Sequence, residues 1–72
     1  MNVVMTLVNE SWGDYAVFTD DEVGEFYDVW LDRIKTRSDF TEQVEHLSLK
    51  NWFTDKLRNQ FTDVIERRFN KL

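Results

Sequence analysis

The chain contains no cysteine and no proline, only two glycines and one histidine, and no basic residue before Arg33. Each absence removes a class of explanation. Without cysteine there is neither a disulfide framework nor a thiolate metal site, and His46 alone cannot make a histidine-rich one. No metal and no cofactor are therefore expected. Gly13 and Gly24 are too few and too far apart for a phosphate-cradling or dinucleotide-binding loop. No apolar run approaches the roughly 20 residues of a membrane span. The apolar stretch Met1–Val8 has no basic segment ahead of it, which excludes a secretory leader, so a cytoplasmic, membrane-free protein is expected.

At 72 residues the chain is read as a single domain, 1–72. A domain this small hides only about 60% of the surface its unfolded form exposes, so its core is limited. Three Trp, two Tyr and six Phe make up 15% of the sequence. Each ring brings about 150–250 Å² of surface. Eleven of them exceed what such a core can hold, and the surplus rings become candidate interface anchors.

The charges are segregated. Residues 1–32 hold eight acids and no base, whereas residues 33–72 hold all nine bases against six acids, giving a net −5 overall. Coating a nucleic acid requires a basic face, so nucleic acid is not the expected partner. Either the two halves pair with each other, or the acidic half faces a basic partner.

Four elements are expected. The β-branched segment "NVVMTLV" and the strand-like "DYAVF", joined through "NESWG", predict a β-hairpin over 2–18. Thr19 with Glu22 forms a capping-box spacing. Val23, Phe26, Tyr27, Trp30, Leu31 and Ile34 then follow helical intervals, predicting a helix over 20–36. Gly24 inside it implies close approach of another element. A shorter helix over 39–47 is expected, capped by Ser38 or Asp39, and a long one over 49–70. The fold class is thus α+β, a short hairpin on three helices with a long C-terminal one. An all-α, four-helix arrangement is the alternative if residues 2–12 are helical.

On the predicted first helix, Asp21, Glu25, Asp28 and Asp32 share one solvent-facing stripe. Like charges at these spacings repel, and a sequence shaped for stability alone would interleave lysine. A negative field of this kind steers a basic partner. Carboxylates spaced along a surface resemble, in style, the way small virus-encoded inhibitors imitate DNA phosphates. Trp12 and Tyr15, near the hairpin turn, are the candidate aromatic anchors. Phe61, Ile65, Phe69 and Leu72, at the end of the last helix, are the candidate contact for a homodimer. The cations Arg67, Arg68 and Lys71 suit the helix C-terminus and could pair with the acidic stripe of a second copy.

Catalysis finds no support in facing nucleophile–base pairs, because His46, Glu42, Glu45 and Ser48 read as ordinary surface neighbours. The expectation is a non-enzymatic acidic protein that inhibits or modulates a basic, nucleic-acid-binding protein. Two alternatives stand beside it. One is a helix-turn-helix DNA binder reading with Asn51, Thr54, Arg58 and Thr62. The other is a homodimeric structural or adaptor protein.

Overall fold

In the computed structural model, which describes residues 2–71, the chain forms three strands and two helices. The strands are β1 Val3–Glu10, β2 Gly13–Asp20 and β3 Gly24–Trp30. A single 3-10 turn, Leu31–Arg33, leads to α1 Arg37–Ser48 and α2 Asp55–Asn70. The strands lie in the order β1-β2-β3, each antiparallel to its neighbour. The α+β class holds, but the predicted three-helix arrangement and its all-α alternative do not. Residues 20–36 contribute a third strand instead of a helix.

The reason lies in one irregularity. Thr19 faces Glu25 while Phe18 faces Tyr27, so Phe26 is an extra residue in β3, a β-bulge. The bulge lets two consecutive rings reach the same side. Phe26 and Tyr27 both meet Trp52, at ring-centroid distances of 5.0 and 5.5 Å. At the end of β3 the pair Trp30 and Leu31 straddles the change into the 3-10 turn. Doublets of apolar residues spaced three and four apart are the signature of a helix. Here a bulge and a strand end produce the same signature.

The turn between β2 and β3 is also built differently from a helix start. Asp20, only 3% exposed, accepts hydrogen bonds from the main-chain N–H groups of Glu22 and Val23 at 3.2 and 3.1 Å, and from that of Asn2 at 3.0 Å. One side chain thus forms the turn and pins the start of β1. Burial pushes its pKa up, but the three N–H donors outweigh that and hold it below the usual carboxylate range. Gly24 is explained by φ +87°, with nothing within 4 Å of a built Cβ, so backbone conformation and not close approach requires it. The β1–β2 loop is shorter than predicted: Glu10 pairs directly with Gly13, leaving only Ser11 and Trp12.

The helix boundaries shift as well. Thr36 caps α1, its side chain accepting from Asp39 N–H while Asp39 reciprocates to Thr36 N–H, in place of the expected Ser38 or Asp39 cap. Thr54 caps α2, so residues 49–54 form a connecting loop and not the first turns of a long helix. Trp52 sits on that loop among Phe18, Phe26, Tyr27 and Phe53. This accounts for its position at the flank of the apolar stripe when the segment is drawn as a helix.

Both helices cover one face of the sheet. Ala16, Phe18 and Val29 from the strands join Leu31, Ile34, Leu47, Leu57, Phe61 and Ile65 in one buried cluster. Arg37 of α1 ties the helices together through a two-pronged ion pair with Glu66 of α2 and lies over the Phe69 ring.

Candidate functional site

The register places Val4, Thr6 and Val8 of β1, Tyr15, Val17 and Thr19 of β2, and Glu25, Asp28 and Trp30 of β3 on one face. It is the face opposite the helices. Val17 is buried yet stands apart from the core cluster. Across this face Tyr15 and Trp30 stack at 6.1 Å and an interplanar angle of 14°. The Arg33 guanidinium lies 4.8 Å over the Trp30 ring. Trp12, at the tip of the β1–β2 turn, is 65% exposed. An open sheet face of a small domain thus carries a stacked aromatic pair, a cation at its rim and a free indole beside it.

The bulge also sets the charges. In an unbroken strand, residues three apart point to opposite faces. With Phe26 inserted, Glu25 and Asp28 point to the same one, opposite Thr19 and Val17. Both are exposed, as are Asp21 and Glu22 in the adjoining turn, and none of the four forms an ion pair among the described residues. The bulge fits these residues opposite the two-residue step from Thr19 to Val17, and at about 3.3 Å per residue this puts Glu25 and Asp28 roughly 7 Å apart along the strand. The helical stripe expected for Asp21, Glu25, Asp28 and Asp32 does not exist, because there is no helix there.

Asp32 behaves differently from the other three. Arg68 of α2 bridges it to Asp14, at 2.7 Å to Asp32 Oδ1 and 2.9 Å to Asp14 Oδ2. Asp32 also accepts from Trp30 Nε1 and from the Asp14 main-chain N–H, each at 3.2 Å. Partial burial raises its pKa, but the Arg68, Asp14 and Trp30 donors prevail and hold it low. This clamp closes the end of the sheet onto α2. Gly13 belongs to it: a Cβ there would overlap Trp30 Nε1 and Asp32 Oδ2. Arg68, read from sequence as a cation for the helix end or for a second copy, is thus engaged within its own chain. Its partners lie 36 and 54 residues away, and no local spacing announces them.

Among the residues expected to contact a second copy, Phe61 and Ile65 are buried at 0% and 1% exposure. Phe69 is half-buried against Phe40 and beneath Arg37, and Leu72 lies outside the described residues. Of the residues weighed for a DNA-reading helix, Asn51 and Thr54 precede α2 and do not share its surface with Arg58 and Thr62. Sequence reasoning missed Trp30 and Arg33 as surface residues, because Trp30 fitted the apolar stripe and Arg33 the helix end. Among the described residues no helix is long and apolar enough to cross a membrane, and no group of three or more ligating side chains could hold a metal ion. No protein-family model, curated protein or solved structure matches the chain.

Proposed function

We propose that the protein is a non-catalytic binding domain that engages a protein with a basic surface through the open face of its sheet, as an inhibitor or modulator. The observation that supports this most directly is the bulge at Phe26. It turns Glu25 and Asp28 to the side that carries the Tyr15–Trp30 stack and leaves both carboxylates without a cation. A lysine or arginine reaching this face meets both aromatic rings and carboxylates on the same side of the sheet. Cations favour both, by about 0.5–2 kcal/mol over an aromatic face and more when the carboxylate contact is desolvated. Asp21 and Glu22 extend the field and steer encounter. Trp12 supplies an exposed aromatic anchor at the turn. The acidic role therefore rests on Asp21, Glu22, Glu25 and Asp28, while Asp14 and Asp32 serve the fold.

The test compares two variants of equal charge. One replaces Asp21, Glu25 and Asp28 with Lys; the other replaces Glu42, Glu45 and Asp63, on the helices, with Lys. Salt-sensitive capture of a defined protein from host-cell lysate should be lost in the first variant and retained in the second, with circular dichroism unchanged in both. Equal capture by both variants would remove the sheet face from consideration.

A further inference from the structure

The two edges of the sheet are treated in opposite ways. The β3 edge carries the devices that natural sheets use against edge-to-edge pairing: a bulge, and charged side chains at Glu25 and Asp28. The β1 edge has no bulge, and its one charge, Glu10, stands at the last residue of the strand. β1 runs eight residues, its register with β2 is unbroken from Val3–Asp20 to Glu10–Gly13, and it has no proline. From Asn2 to Asn9 it has no charge in a protein whose net charge is −5. Val4 and Leu7 on this strand are 53% and 54% exposed. Nothing among the described residues pairs with its outer side.

We propose that β1 pairs antiparallel with β1 of a second copy, joining two three-stranded sheets into one six-stranded sheet across a two-fold axis. What covers a free strand edge must offer main-chain donors and acceptors in an extended chain. The choice of a second copy rests on charge and on the strand's own symmetry. Two molecules of like net charge repel wherever their acidic parts meet, and β1 is the one long uncharged segment in the acidic half. The strand is also complementary to itself when centred on Thr6. Thr6 then faces Thr6 and Val4 faces Val8 on the open side, and Met5 faces Leu7 on the helix side. Every pair joins residues of the same face, so each sheet keeps its helices on the same side. The pairing brings the exposed Val4 and Leu7 against apolar partners. Open clefts lie between α2 and both ends of β1, one lined by Val3, Met5 and Leu57 and the other by Leu7, Val64 and Lys71. The contact is a single strand pair, below the size of most stable interfaces, so a reversible dimer in the micromolar range is expected.

Thr6 is exposed on the open side, so changing it leaves the core intact. Sedimentation equilibrium of the wild-type chain between about 5 and 500 µM should show a monomer–dimer equilibrium. Thr6→Lys and Thr6→Glu should each raise the dissociation constant at least about tenfold by placing like charges across the axis. An equimolar mixture of the two should recover association as a heterodimer. A wild-type chain that stays monomeric throughout, a dimer indifferent to both substitutions, or a mixture that fails to associate would each overturn the proposal. Because the open-face carboxylates are untouched by these substitutions, the outcome is separate from that of the lysate-capture test.

Discussion

On the covered face of the sheet, Ala16 and Phe18 are fully buried and Val29 is 4% exposed; on the open face Val4 keeps 53% of its surface and Glu25 and Asp28 are free. Both faces use apolar and aromatic residues. The covered face spends them on interdigitation with Leu47, Leu57, Phe61 and Ile65. The open face carries the Tyr15–Trp30 pair together with carboxylates that form no ion pair among the described residues, an arrangement that adds little to stability. In a domain this small, the packed core and the unpaired carboxylates thus occupy opposite sides of the same three strands.

The sharpest way to break the comparison is to empty the covered face. Phe18 meets Trp52, Tyr27 and Phe53, so Phe18→Ala should destabilise by about 3–5 kcal/mol, enough to unfold much of the population at 25 °C by urea titration. A smaller effect is expected at the hinge of the two faces. Gly24→Ala, at φ +87°, forces a side chain into the left-handed region and should destabilise by about 1–2 kcal/mol, although a Cβ there touches nothing. Were it neutral, the turn would have to relax to another conformation.

The acid response sharpens the same contrast. Asp20, Asp32, Asp39 and Glu66 are all held below the usual carboxylate range by hydrogen bonds or cations of the fold. The unfolded chain therefore takes up protons before the folded one does. Their contribution is complete above about pH 5, clear of the unfolded Asp and Glu values, and is lost as pH falls through the lowered folded values. Thermal melts between pH 7 and pH 2 should show Tm falling only below that range. Arg68→Met should lower Tm by a few degrees at pH 7 and flatten the acid limb, since Asp32 loses its cation. On the open face, Val4→Thr should shift stability by no more than about 0.5 kcal/mol.

Much of the frame was legible in the chain. The extended character of residues 3–10 and the helical character of residues 55–70 follow from side-chain type and apolar spacing, and the structure has β1 and α2 there. The segment 20–36 was not legible, because its apolar doublets satisfy helical periodicity while arising from a bulge at Phe26 and a strand end at Trp30. The thread that decides between them is pairing with β2, and a strand partner cannot be read from local spacing. For the same reason the acidic residues split into two groups that the sequence does not distinguish. Asp14 and Asp32 are taken by Arg68, and Asp20 by main-chain N–H groups, whereas Asp21, Glu22, Glu25 and Asp28 form no ion pair among the described residues.

By itself the amino-acid sequence determined the charge polarity of the chain, the surplus of rings for its size, the absence of cysteine chemistry, and the extended character of the N-terminal segment and helical character of the C-terminal one. Only the tertiary structure decided which face the rings occupy, which carboxylates are neutralised and which strands form the edges of the sheet. Composition and periodicity act over a few residues, while strand register and the Arg68 clamp join residues tens of positions apart, and it is those long-range contacts that select among locally acceptable conformations.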